Sequence, residues 1–218
     1  MNELLELYNT MAVSVKQHSE RVAACAVMMA KYAMPDLQAE YNLSTEELTE
    51  AVYVGCLYHD IGKLFLPPMV LICNSTEAEK NRIATLRSHT KDGHKQIKKY
   101  GKSCFGKDKR YVQVVADIAL YHHECYNGSD SPHGLSEDAI PSAAGLCALA
   151  NKLDHLYETF VIKCGDDFEL IANLIEAQSG RCYAPELVDW FTSAKDELAA
   201  FYATQNIHLQ PSRELQHA

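Results

Sequence analysis

Apolar residues recur at three- and four-residue steps along most of this chain, and no segment of useful length alternates apolar with polar residues. Between residues 4 and 29 the repeat runs through Leu4, Tyr8, Met11, Val15, Val22, Ala26 and Met29. This spacing places apolar side chains on one face of a helix, whereas a half-buried strand has a two-residue period. We therefore predict an all-α fold, a helical bundle of about seven or more helices.

Capping residues and prolines predict where these helices begin and end. The first repeat predicts one long helix that ends before Pro35. Ser44 and Glu47 have the spacing of a capping box, which predicts a helix running from there into the pair His59–Asp60. The later helices are predicted at a second capping box, Thr76–Glu79 (through His89 to Gly101, with a break near Gly93), at Lys109 (to His122–His123), at Pro141 (carrying Asp154), at Asp166 and at Pro185.

Length and charge limit the class of protein. The chain has 218 residues, and we expect a single domain over residues 1–206 followed by a C-terminal tail, residues 207–218. The formal net charge of −9 argues against a surface that binds nucleic-acid polymers. One segment differs, because eight cationic residues and only two acidic ones lie between Lys91 and Arg110. This segment is either a guide for a small phosphorylated ligand or a solvated helix face.

Cysteine spacing and the N-terminus bear on the compartment. None of the eight cysteines lies in a CxxC pair, and they fall in apolar helical segments, which fits a reducing environment. The first residues lack the basic and apolar regions of a signal peptide. No apolar run reaches the ~18 residues that a membrane-spanning helix needs. We therefore expect a cytoplasmic protein with no membrane partner.

Two histidine-containing pairs stand at the predicted ends of apolar helices. His59–Asp60 ends AVYVGCLYHD and is closely followed by Lys63, and His122–His123 ends VVADIALYHH. The first pair puts an imidazole beside a carboxylate that can bridge two cations, with a lysine nearby for an anionic oxygen. Adjacent helix-end histidines point in different directions, so they suit two metals, or one metal and a substrate. Each pair alone is weak support for a metal site, because chance and helix capping produce many such pairs.

The order of histidines and aspartates resembles that of the HD superfamily of metal-dependent phosphohydrolases, and in detail its HD-GYP branch. HSERV at His18, HDIGK at 59–63 and His89 with Gly93 resemble successive motifs of that family. HHECYNGSDSPHGLSEDAIP at 122–141 matches the histidine doublet and its loop without a gap, and GRCYAPELVDWF at 180–191 is similar to the C-terminal helix entry. The similarity covers about residues 14–190. It implies an HD-domain fold and cyclic di-GMP phosphodiesterase activity.

Carried over position by position, the resemblance implies seven metal ligands, with Asp60 bridging: His18, His59, Asp60, His89, His122, His123 and Asp154. Nitrogen and carboxylate ligands without thiolate favour two divalent ions, Fe or Mn before Zn or Mg. The alternative is that all seven are polar residues with structural roles. His94 and His155 lie outside the motif, and His133 either touches ligand from the loop or is a surface histidine.

The resemblance also implies a mechanism. If two ions lie about 3.5–4 Å apart, they can share a water and lower its pKa towards roughly 7, and the resulting hydroxide would attack phosphorus in line. Asp60 and Lys63 are then the catalytic residues, with Lys63 balancing charge on the phosphoryl oxygens. Lys163 is expected to hold a more distant phosphate. Glu124 either orients a ligand histidine or a water, or is a helix-end carboxylate.

The substrate side departs from the branch pattern. Asp130-Ser131-Pro132 stands where the branch has Gly-Tyr-Pro, so Asp130 and Ser131 are expected to contact substrate and to alter its choice. The branch's second aspartate and its arginine correspond to Tyr157 and Lys163. Ser14 replaces a glutamate that helps some members hold a third metal, which favours two ions.

Three functions stay open. The first is hydrolysis of cyclic di-GMP or a related cyclic dinucleotide, and the second is an HD phosphohydrolase for another nucleotide or phosphoester. The third is a catalytically weak module that senses a ligand or binds a partner. The expected partner is a small phosphorylated ligand, and a homodimer is among the alternatives.

Overall fold

The computed structural model of the protein describes residues 2–67, 87–129, 132–164 and 167–205, with the backbone alone for residues 161–164. This part of the chain contains eight α-helices: α1 (Glu3–Thr10), α2 (Val13–Tyr41), α3 (Thr45–Tyr58), α4 (His89–Phe105), α5 (Lys109–Tyr121), α6 (Ser142–Cys164), α7 (Phe168–Glu176) and α8 (Pro185–Ala203). Two short 3-10 helices lie at Ile61–Phe65 and Glu137–Ala139. No strand occurs within those ranges, where Ser179 and Tyr183 form an isolated bridge. The all-α prediction is confirmed.

The first helical repeat forms two helices, so the prediction of one long helix before Pro35 is wrong. The chain turns extended at Met11 (φ −66°, ψ 151°), and α2 then continues through Pro35 to Tyr41. Pro35 sits on the exposed side of α2, where it removes one backbone hydrogen bond. Leu37 and Tyr41 beyond it are buried, and their packing keeps the last turns helical.

Most other boundaries follow the capping signals. Ser44 and Glu47 form the capping box at the start of α3, with hydrogen bonds of 3.2 and 3.1 Å. Pro185 is the first residue of α8. Helix α6 begins one residue after Pro141, and α7 is capped by Asp167 rather than by Asp166. The second capping box, Thr76–Glu79, and the predicted tail lie outside the described residues.

Helix α4 runs unbroken past Gly93, where a break was predicted. Gly93 is buried, and the backbone of a neighbouring segment packs directly against it. That neighbour is Gly62, where an added Cβ would lie 1.9 Å from the His89 carbonyl oxygen and 2.6 Å from the Gly93 nitrogen. The HDIGK turn therefore lies in backbone contact with the first turn of α4, and this contact brings Asp60 beside His89.

The apolar core lies between α2, α3, α5 and α6, with α4 packed against α5 and against the 3-10 helix after Asp60. Small buried residues such as Ala26, Ala51 and Ala150 allow these helices to approach closely. The helix ends that carry histidine therefore meet at one side of this core. Among the described residues, no helix combines the length and apolar character that a bilayer-spanning segment requires.

Candidate metal centre

Helix ends deliver the predicted ligand residues to one buried region. His59 is the C-cap of α3, His89 opens α4, and His122 is the C-cap of α5. His18 reaches the same region from the second turn of α2. These four side chains and Asp60 are all buried, which is unusual for ionisable residues that have no chemical task.

Two groups of potential ligands flank the carboxylate of Asp60. In each group the nitrogen and oxygen atoms lie within 4.8 Å of one another: His18, His59 and Asp60 form the first group, and His89, His122 and His123 form the second. Asp60 Oδ2 lies 3.4 Å from His59 Nε2, whereas Oδ1 lies 3.1 Å from His89 Nε2. One carboxylate oxygen therefore faces each group, which is the arrangement that a bridging ligand needs.

Backbone contacts set the tautomers of two of these histidines. The ring nitrogen Nδ1 of His59 donates to the Cys56 carbonyl at 2.6 Å, and that of His122 lies 3.1 Å from the Ile118 carbonyl. A carbonyl only accepts, so Nδ1 carries the proton and Nε2 is the atom available as a ligand. In both residues this Nε2 atom faces the centre.

Two buried nitrogens in the first group have no hydrogen-bond partner among the described residues. They are His18 Nε2 and His59 Nε2. Leaving a buried polar atom without a partner costs about 1–3 kcal/mol. A divalent cation bound by these lone pairs removes that cost, so the residues present fit a metal site.

The local pKa values favour the ligand forms. Burial opposes ionisation of Asp60, yet the neighbouring His59 and the Lys63 ammonium hold the pKa of this carboxyl well below its usual range. Burial, reinforced by neighbouring imidazoles, lowers the pKa of His122 and lowers that of His123 to about 3. At neutral pH the Asp60 carboxylate is therefore ionised and the imidazoles of His122 and His123 are neutral, which is the protonation state that metal ligands require.

Asp154 lies behind His18 rather than within either group. Arg21 Nε and Nη2 donate to its two oxygens at 2.7 and 2.8 Å, and Tyr202 donates its hydroxyl to Oδ1 at 3.0 Å. His18 Nδ1 lies 2.6 Å from Oδ2. Arg21 also pairs with Glu158. Asp154 thus holds the proton on His18 Nδ1 and leaves Nε2 directed to the centre. Its predicted role as a direct metal ligand stays a prediction.

Sequence reasoning missed Arg21 and Tyr202. Arg21 stands one helical turn after His18 in HSERV, so its position on the same face of α2 was a usable signal. Tyr202 is 48 positions from Asp154 and carried no local signal.

The predicted substrate-side residues divide into described and undescribed positions. Lys63 donates to Asp60 Oδ2, and its side chain is partly exposed. Both oxygens of Glu124 accept loop N–H groups, from His133 and Leu135. Asp130, Ser131 and the side chain of Lys163 lie outside the described residues.

The remaining histidines have identifiable neighbours. The His155 ring stacks on that of His18 with centroids 4.5 Å apart, a contact that was not predicted. His94 Nδ1 lies 3.1 Å from the Ala116 carbonyl, which ties α4 to α5. His133 reaches from the loop to Thr90 rather than to open solvent.

Comparisons with known proteins identify relatives of this chain. The chain is 28% identical over 204 residues to a cyclic di-GMP phosphodiesterase of Thermotoga maritima, a match that covers 92% of this chain and 51% of that protein. It is 28% identical over 200 residues to the 3′3′-cGAMP-specific phosphodiesterase 2 of Vibrio cholerae, covering 91% of this chain and 36% of that protein. The chain thus spans about half the length, or less, of these curated relatives.

A solved structure shares the fold. The HD domain of the L. monocytogenes phosphodiesterase PgpH, in complex with cyclic-di-AMP, aligns with a TM-score of 0.59 at 18% identity and covers 95% of this chain and 100% of that one. The profile of the family described as HD domain matches residues 15–156, a range that contains every predicted metal ligand. This chain belongs to the HD domain family.

Proposed function

We propose that this chain is a metal-dependent phosphodiesterase that hydrolyses a cyclic dinucleotide at the centre around Asp60. The observation that carries the proposal is the position of the Asp60 carboxylate, with one oxygen towards each of two histidine groups. The relatives support the substrate class, because their names specify cyclic di-GMP and 3′3′-cGAMP, and the PgpH domain was solved with cyclic-di-AMP.

Two divalent ions fit the donor set. His18 and His59 would hold one ion and His89, His122 and His123 the other, with Asp60 shared between them. Asp154 would serve the first ion through His18, by fixing its tautomer. Imidazole and carboxylate donors without thiolate favour Fe or Mn over Zn or Mg.

When bound, such ions supply an activated water and polarise a phosphoryl oxygen. The chain's own contribution is to hold six donors in place and to keep the Asp60 carboxylate ionised. Lys63 adds a positive charge beside Asp60 that can offset negative charge on a phosphoryl oxygen. Its side chain is 28% exposed, so an incoming phosphate can reach it.

Asp130, Ser131 and Lys163 are predicted to contact the substrate and to determine which cyclic dinucleotide is bound. An acidic residue near the phosphates would weaken binding through repulsion, so Asp130 favours a substrate pose different from that of relatives with glycine there. A homodimer also stays a prediction. We place the activity in the cytoplasm, which the six free cysteines of the described residues support.

The test is turnover of cyclic di-GMP, 3′3′-cGAMP and cyclic-di-AMP by the full chain loaded with Mn²⁺ or Fe²⁺. We expect cleavage of at least one of them to a linear dinucleotide, and loss of that cleavage in Asp60→Asn. Asp117→Asn serves as a matched control, because Asp117 is a buried aspartate on α5 outside both groups. Retained metal with no cleavage of any cyclic dinucleotide would overturn the proposal and favour a sensor.

A further inference from the structure

A buried carboxylate attaches described residues of the loop after α5 to the end of that helix. Backbone hydrogen bonds from Tyr126 and Asn127 to the carbonyls of Cys182 and Arg181 hold the first part of the same loop. Glu124 follows the histidine doublet directly, and only 4% of it is exposed. Its Oε1 accepts the N–H of His133 at 2.9 Å, and its Oε2 accepts the N–H of Leu135 at 2.8 Å. The Glu124 side chain thereby connects the end of α5 to the backbone at His133 and Leu135.

A second contact attaches the same loop to α4. His133 Nε2 lies 3.0 Å from the Thr90 hydroxyl, which itself donates to the Arg87 carbonyl at 3.0 Å. A hydroxyl has one proton, so Thr90 accepts from His133 and the Nε2 atom carries the proton. The His133 ring also meets the edge of Tyr121, with centroids 5.7 Å apart.

Both attachment points are sequence neighbours of residues in one ligand group. Glu124 follows His123, and Thr90 follows His89. The loop is therefore attached at residues directly adjacent to two of the proposed ligands, His123 and His89. Burying a carboxylate is unfavourable unless it is fully hydrogen-bonded. A residue that only ends a helix does not need a buried carboxylate, so the burial of Glu124 points to its contacts with the loop.

We propose that Glu124 is a positioning residue, and that with the His133–Thr90 contact it fixes the loop in the conformation that binds the cyclic dinucleotide. The inference rests on the proposed function. It separates two tasks within the site: the histidine groups and Asp60 carry out phosphoester cleavage, and Glu124 determines how tightly a large substrate is held.

The test compares a large and a small phosphodiester on the metal-loaded full chain. In Glu124→Gln the amide oxygen can accept only one of the two N–H groups, and its NH₂ opposes the other. We expect the KM for cyclic di-GMP, or for whichever cyclic dinucleotide is cleaved, to rise roughly tenfold or more. The kcat for that substrate, the hydrolysis of bis(4-nitrophenyl) phosphate and the metal content should stay near wild type.

Two further variants sharpen the comparison. Asp138→Asn is the matched control, because Asp138 is an exposed acidic residue of the same loop. It should leave all four readouts unchanged. Thr90→Val removes the second attachment and should raise KM in the same direction, which keeps the test available if Glu124→Gln does not fold.

Equal losses on both substrates, loss of metal, or an unchanged KM in Glu124→Gln and Thr90→Val would overturn the inference. If the wild type binds a cyclic dinucleotide without cleaving it, the proposed function fails. In that case a Kd for the cyclic dinucleotide that is roughly tenfold or more higher in Glu124→Gln than in the wild type supports the inference, and an unchanged Kd contradicts it. A chain that neither binds nor cleaves any cyclic dinucleotide overturns both.

Discussion

The guanidinium of Arg21 provides a matched pair of perturbations, because it contacts one buried and one partly exposed carboxylate. Asp154 is fully buried and receives two hydrogen bonds from Arg21, whereas the Glu158 side chain is 38% exposed. Asp154→Asn keeps the shape of the side chain but removes the charge opposite a guanidinium that is itself only 12% exposed. Breaking a buried pair in this way costs about 3 kcal/mol, and for a domain of this size that lowers Tm by about 6–12 °C.

Glu158→Gln removes the other partner of the same guanidinium and should cost less than about 1 kcal/mol, because solvent screens an exposed pair. Thermal unfolding of the metal-free proteins, followed by circular dichroism, measures both costs. Asp154→Asn should also weaken metal binding about 10- to 100-fold, because His18 loses the group that fixes its tautomer. Equal destabilisation by the two variants, or an unchanged metal affinity in Asp154→Asn, would refute this description of the network.

Three further predictions concern pH, backbone packing and metal. Burial raises the pKa of Asp117 to about 6, so its ionisation destabilises the fold above that pH and not below about 4. The free energy of unfolding of Asp117→Asn should therefore exceed that of the wild type by about 1 kcal/mol at pH 8 and by little at pH 4.5, as measured by denaturant titration. A difference that is larger at pH 4.5 would contradict the assignment. Gly62→Ala places a Cβ against the His89 carbonyl and should unfold or strongly destabilise the chain, whereas an added Cβ at Gly93 has contacts of 3.4 Å or more. Gly93→Ala should be neutral or slightly stabilising in the same thermal scan, so similar Tm losses in both variants would count against the contact. Removing metal with a chelator should lower Tm, and Mn²⁺ at a hundredfold excess over Kd should restore about 2–3 kcal/mol of unfolding free energy. A Tm that neither treatment changes would argue against a metal site.

Local signals predicted most of the helix boundaries and the histidine-containing pairs at two helix ends. The Ser44–Glu47 box and Pro185 act within one turn of chain, so their effect can be read from neighbouring residues. The pairs His59–Asp60 and His122–His123 were recognisable because apolar periodicity stops where they stand. Pro35 shows the limit of this reasoning, because tertiary burial of Leu37 and Tyr41 keeps the helix going past it.

Contacts between distant segments could not be predicted in this way. Arg21 and Asp154 are 133 positions apart, and no local pattern indicates that they meet. The same holds for Gly62 against His89, where backbone contact, rather than turn flexibility, requires glycine. The role of Glu124 was left between two alternatives, and its contacts with loop N–H groups became visible only in three dimensions.

The central claim, that Asp60 joins two metal sites, is tested most directly by the number of metal ions bound per chain. Elemental analysis of the Mn²⁺- or Fe²⁺-loaded protein should give two ions for the wild type and for Asp117→Asn. His123→Ala should retain about one ion, because it removes a ligand of the second group alone. Asp60→Asn should lose affinity for both ions, since each of its oxygens faces one group. Wild-type protein that retains no metal, or an Asp60→Asn variant that still binds two ions, would contradict the claim.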